Sequence, residues 1–298
     1  MPDFCFSDCY QSTTPFTADA GFTDSTSGGN DFIVGIVTFK WMASVGFPQG
    51  TATTNTSTTI QSSYSVEPNF INQLLSVGKA PLSMLSGSSA DRTKEIFATG
   101  RNPDSGTRIA ALADGMYGVT KVVKQYLPTI NGSNQVTSHT LYPIETINGI
   151  STGAAGNSGE ASGGILRTYM KATLPTSGLT NETAGTTAAY YVTYLGIGDA
   201  SKVEGTANGG AVELCYKGIP YSTTAIQDGT YTFWSYEHVM DRGDLASPAL
   251  DVETAVVSTI QGYNSTNANI SGSGLQDDTN MKVRRSGDGA LVKPKFTF

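Results

Sequence analysis

The chain has 298 residues, with 18 Lys and Arg against 25 Asp and Glu, a net charge of −7, 14% charged and 38% hydrophobic residues. That length suits two compact lobes with a core each. So few cations exclude nucleic acid as a partner, because a basic face is needed to neutralise its phosphates; a locally positive pocket for one small anion stays open. No run approaches the ~20 apolar residues that a membrane-crossing helix needs.

Asp3 to Cys9 alternates and is aromatic-rich, which predicts a strand entering a polar turn at Gln11–Pro15. Cys5 and Cys9 lie about 13 Å apart if this segment is extended, too far for a disulfide, and the odd third cysteine is Cys215. The expectation is buried free thiols. His139 and His238 stand far apart without companion ligands, so no metal and no cofactor are expected. The β-branched run Phe32–Phe39 predicts a buried strand of a layered sheet, and Gly50–Ser65 reads as a surface loop or irregular hairpin. Glu67–Gly78 has the spacing of an amphipathic helix, and Glu95–Thr99 that of a short strand.

The strand at Glu95–Thr99 delivers Gly100-Arg101-Asn102-Pro103-Asp104-Ser105-Gly106-Thr107-Arg108. After it, Ile109, Leu112, Ala113 and Met116 mark one helical face, with Gly118 as its stop. Asp104 and Ser105 are good N-caps, and Gly106 permits close approach to the backbone. Free amides and the positive helix end beside Arg101 and Arg108 would suit an oxyanion. A capped surface helix with two solvated arginines is the plainer alternative.

Beyond this point Val119–Tyr126 and Ser138–Tyr142 predict a hairpin turning at Asn131–Asn134. A Gly- and Ser-rich loop over 149–164 opens a helix at Gly163–Met170. Ala188–Ile197 and Ala211–Tyr216 read as strands, Thr230–His238 as an aromatic crossing between lobes, and Leu250–Ile260 as a last helix. The remainder, with the basic patch Lys282–Arg285, reads as extended chain.

Arg101, Ser105, Gly106 and Thr107 resemble the Arg-x-x-x-Ser-Gly-Thr element of phosphate-binding proteins, the receptors of phosphate ABC importers. Phe4–Asp8 resembles that family's strand ending in Ser-Asp, Gly156–Gly159 its Gly-Asn-x-Gly turn, and Ala189–Leu195 a strand of its second lobe. The resemblance implies an α/β, two-lobed periplasmic-binding-protein-like (type II) fold with mixed sheets flanked by helices. Residues 1–38 and 233–298 would form a first lobe and 39–232 a second, with hinges near residues 38 and 232. It implies a phosphate site of Asp8, Arg101, Ser105, Gly106 and Thr107. Asp8 would accept the proton of the ligand and repel an oxyanion that has none to give.

The family's opening Gly-Ser-Ser/Thr turn has no counterpart before Asp3, so the first lobe reads as incomplete, lacking its N-terminal portion. Met1-Pro2-Asp3 shows no leader pattern, so an exported form would carry its signal outside this sequence. The implied role is that of a non-enzymatic solute-binding protein in the periplasm or outside the cell. Its partners would be phosphate or a similar oxyanion, and an ABC importer membrane component or copies of itself. The alternative is a surface-assembly protein that keeps the fold without the ligand, and a secreted hydrolase is a third reading without a nucleophile–base pair to support it.

Overall fold

The computed structural model describes residues 3–16, 30–51, 54–147, 149–175, 188–266, 275–276 and 280–295. The element that organises them is a strand much longer than the β-branched run at its start. β1 (Phe4–Ser7) leads into a 3-10 turn at Gln11–Thr13, and β2 then runs unbroken for 13 residues from Asp31 to Ala43. Trp41 and Met42 therefore lie within it, both in the core.

Of the two readings of Gly50–Ser65, loop or irregular hairpin, the structure shows the hairpin, formed by β3 (Thr54–Asn55) and β4 (Ile60–Val66). α1 (Pro68–Val77) follows as expected, with Pro68 in its first turn and left-handed Gly78 as its C-cap. Next come β5 (Lys79–Pro81), the single turn α2 (Ser83–Ser86), β6 (Lys94–Ala98) and α3 (Gly106–Asp114). α3 stops short of the anticipated Gly118: Gly115 caps it and Met116 turns left-handed with φ of 57°.

The hairpin is β7 (Tyr126–Ile130) on β8 (Val136–Leu141), later than the spacing suggested. Residues 124 and 125 instead bond backbone to backbone with Leu75 and Gly156. A small hairpin of β9 (Thr146–Ile147) and β10 (Ile150–Ser151) precedes α4 (Gly163–Met170). β11 (Ala188–Gly196), the turn α5 (Ile197–Ala200) and β12 (Val212–Tyr216) come next. They are followed by α6 (Thr223–Asp228), β13 (Trp234–Asp241) and α7 (Ala249–Thr266). Short pieces close the chain: β14 (Leu275–Gln276), β15 (Val283–Arg284) and β16 (Lys293–Pro294).

The sheet is mixed. Its order is β3-β4-β12-β2-β11-β6-β5, with β13 and β14 also on β2 and β1 on β13. β11 runs parallel to β6, and β12 parallel to β4, while β2 is antiparallel to all its partners. β2 changes partners along its length: Thr38 is the last residue paired with β13, and Phe39 the first paired with β11. The result is a two-lobed α/β architecture in which β2 and the 233–234 crossing run side by side, joined where the Phe39 amide donates to the Phe233 carbonyl at 3.2 Å.

The main core runs through that junction. Phe39, Trp41, Phe233, Trp234 and Tyr236 are buried together, so the aromatic crossing is packing rather than a stacking platform. A second cluster around Met42, Phe97 and Tyr191 lies under α4, and a smaller one, Val34, Val239 and Val257, under α7. Lys40, just past the junction, is buried with Glu213 Oε2 at 2.5 Å and Glu204 Oε2 at 2.8 Å.

The C-terminal segment corrects the basic-patch reading. Arg285 is buried, stacked 4.1 Å from the Trp234 ring, and donates to the Thr232 carbonyl at 2.6 Å and to Asp114 Oδ1 at 3.4 Å. Asp288 accepts from the Tyr10 amide at 2.8 Å, and a Cβ at Gly289 would meet the backbone of Ala113. Residues 281–289 thus form a strap between the turn after β1 and the C-terminal end of α3. The three cysteines are free thiols, with Cys9 and Cys215 buried. Among the described residues no helix is long and apolar enough to cross a membrane.

Candidate functional site

β6 ends at Ala98 and the chain turns sharply into α3, which puts the N-terminus of a buried helix at the edge of the sheet. Ser105 is its N-cap, in extended backbone, with its Oγ accepting the Arg108 amide at 3.4 Å. The Ser105 amide is itself taken by the Asn102 carbonyl at 3.2 Å, so the bare donors are fewer than the motif suggested. The amides of Gly106 and Thr107, first in the helix, make no hydrogen bond to another described residue.

Asp8, just beyond β1, reaches this point. A Cβ added at Gly106 would collide with its carboxylate, so the acid sits directly on the helix N-terminus. Burial raises the Asp8 pKa, opposed by its own amide, Arg101, His238 and Thr107. Asp8 is thus brought onto the Ser105–Thr107 turn across 97 positions of sequence, while Arg101 reaches it by charge alone.

Arg101 is placed by backbone rather than by a carboxylate. Its Nε donates to the Glu160 carbonyl at 3.1 Å and its Nη2 to the Ala161 carbonyl at 2.9 Å. Glu160 is pinned in turn: its amide donates to the Gly100 carbonyl at 2.9 Å, and its carboxylate accepts from Tyr142 at 2.9 Å and from Tyr169. Gly159 is required here, since a Cβ would strike the carbonyls of Gly100 and Arg101. The 156–159 turn therefore serves the arginine. Arg101 forms no ion pair with Asp8 among the described residues, yet its charge bears on that acid.

Arg108 does not flank the anion position. Its head turns inward to the Arg101 carbonyl at 3.1 Å, the Asn157 carbonyl at 2.9 Å and Asn157 Oδ1 at 2.7 Å. Two groups near the site carried no signal in the sequence. Glu237 on β13 has its pKa pushed up to about 7 by burial and by Asp8. Cys9 is pushed up to about 12 by burial and by Asp288 and Asp8, which makes it a poor nucleophile. Among the described residues no group of three or more His, Cys, Asp or Glu is placed to hold a metal. The arrangement offers two backbone donors, one hydroxyl and one guanidinium beside a carboxylate that can accept a hydrogen bond, which is chemistry for holding a protonated anion.

No protein-family model and no curated protein matches the chain. Solved structures similar to it include an ABC-type phosphate transport receptor from Vibrio cholerae, at 10% identity and a TM-score of 0.45, covering 86% of this chain and 73% of that one. PstS from Borrelia burgdorferi is similar at 10% identity and a TM-score of 0.41, covering 89% of this chain and 77% of that one. What those proteins bind is a property of theirs. The chain is similar to them over most of its length, and its own geometry carries the functional reading.

Proposed function

We propose that the protein is a solute-binding protein for phosphate or a similar oxyanion, with Asp8 from one lobe and Arg101, Ser105, Gly106 and Thr107 from the other as its site. The observation behind this reading is the meeting of the Asp8 carboxylate with the unbonded amides of Gly106 and Thr107 beside Arg101. An anion displacing Asp8 from the helix N-terminus would accept those two amides and the Thr107 hydroxyl, while donating its own hydrogen to the displaced carboxylate. Lobe movement about residues 38 and 232 converts binding into a shape that an ABC importer membrane component reads. No covalent step is asked of the protein, and the role places it in the periplasm or outside the cell.

Isothermal titration with inorganic phosphate tests the reading. Heat at micromolar phosphate, lost in Arg101→Ala, is the expected result; silence in the wild type overturns it. The alternative, a surface-assembly protein without a ligand, draws on the same contact, because the protein's own acid already occupies the helix N-terminus. Ordered self-association together with a silent titration favours that second reading.

A further inference from the structure

Arg108 is only 3% exposed, and every partner of its guanidinium is a neutral oxygen. Three of the five donors of an arginine are used in this way. No carboxylate touches it among the described residues; burial pushes its pKa down, opposed at longer range by Tyr194, Tyr117 and the charge of Asp104. A buried cation with no carboxylate in contact is costly, and neutral carbonyls offset only part of that.

The same side chain lines a cavity of about 100 Å³. Lys121 adds a second cation to the lining, and Pro15, Phe16, Val119 and Ile150 make its apolar walls. Asp8, Ser105, Gly106 and Thr107 are not among the residues that line it. The space is far below the 300 Å³ or more typical of a drug-sized ligand, and of the order of the ~150 Å³ that accommodates a benzene ring.

We propose that this cavity is a second binding site, for a small monocarboxylate with an apolar body, its carboxylate on Arg108 and its hydrocarbon against Phe16, Val119 and Ile150. A carboxylate matches the planar fork of a guanidinium and supplies a counter-charge in direct contact with it. Thr120, Ser151 and Thr152 also line the cavity, but a bare phosphate or sulfate would give up hydration against Phe16, Val119 and Ile150 with no hydrocarbon of its own to cover them. A neutral apolar molecule would fill the space and leave the cation as it is.

Calorimetric titration of the intact chain with sodium benzoate, with benzyl alcohol as the neutral match, tests this. Benzoate binds at least about tenfold more tightly than benzyl alcohol if the charge is recognised. Ile150 is 46% exposed at the rim, so Ile150→Trp fills the cavity without demanding a buried rearrangement. It weakens benzoate about tenfold or more at unchanged circular dichroism. Arg101→Ala, which keeps the backbone carbonyl that Arg108 uses, leaves benzoate binding intact, so the two sites stand or fall separately. Equal affinity for benzoate and benzyl alcohol, wild-type benzoate affinity in Ile150→Trp, or loss of benzoate binding in Arg101→Ala would each overturn the proposal.

Discussion

The carboxylate of Asp8 rests on the Cα of Gly106, leaving no room for even a methyl group between the acid and the first turn of α3. Gly106→Ala therefore drives the Asp8 carboxylate off the helix N-terminus, and overpacking of this kind costs about 1–3 kcal/mol. Asp8→Ala relieves the collision, so the double variant recovers most of the loss. Urea unfolding of the four proteins reads the coupling, and additive effects would mean the two residues do not touch.

Asn157 is the keystone of the Arg108 pocket, since its side chain accepts from Arg108 Nη2 at 2.7 Å and from the Val123 amide at 3.1 Å and donates to the Thr152 carbonyl at 2.7 Å. Asn157→Ala leaves a buried cation one acceptor short, and a loss of about 2–4 kcal/mol is expected from the unpaired charge and amide together. Chemical denaturation measures it; a loss under about 0.5 kcal/mol, the range of ordinary surface changes, would be incompatible with this role.

Glu204 gives the fold a pH dependence. Burial, opposed by Lys40 and reinforced by Glu213, pushes its pKa up to about 7 from the ordinary 4.5. A carboxyl that holds its proton more tightly when folded contributes stability in full below pH 4.5, and this contribution drains away as pH rises toward 7. Wild-type melting temperature therefore falls between pH 5 and pH 8, and Glu204→Gln, which keeps the Lys40–Glu213 pair, flattens that fall by about 2 °C or more. Glu237 and Glu253, both also pushed up to about 7, supply the slope that remains. Parallel wild-type and variant melting profiles would refute the assignment to Glu204.

Arg285→Gln removes the stack on Trp234 and the charge that Asp114 faces. Asp114 keeps Thr232 Oγ1 at 2.9 Å and Lys217 Nζ at 3.4 Å, so the loss is expected at about 2–4 kcal/mol rather than total. Asp288→Asn, which breaks no cation pair, costs less. Limited proteolysis checks the consequence: in Arg285→Gln the strap is cleaved first, while in the wild type it resists.

Local signals made α3 and its cap readable: Ser105 two residues ahead of Thr107, and apolar side chains one helical turn apart. The same signals failed where burial contradicts residue type. β4 carries Ser62 fully buried between Ile60 and Val66, so its alternation does not show as hydrophobic. α6 is a single six-residue turn capped by Ser222 and Gly229, too short for periodicity to register. Arg285 looked like surface because its partner Asp114 lies 171 residues away. At the site, Asp8 and the Arg101–Thr107 run stood out through their resemblance to the motifs of phosphate-binding proteins. Glu160 did not, because it acts on Arg101 through its carbonyl, an atom that every residue has.

The strap at 281–289 also acts as a brace, with Arg285 on Asp114 and Gly289 closed against Ala113. With lobes hinged as proposed about residues 38 and 232, any swing that widens the crevice has to part Arg285 from Asp114 and slide Ala113 past Gly289. Exchange of the proposed solute with bulk water would then run at the pace of that unclasping, and the solute would be released slowly even where it is held weakly.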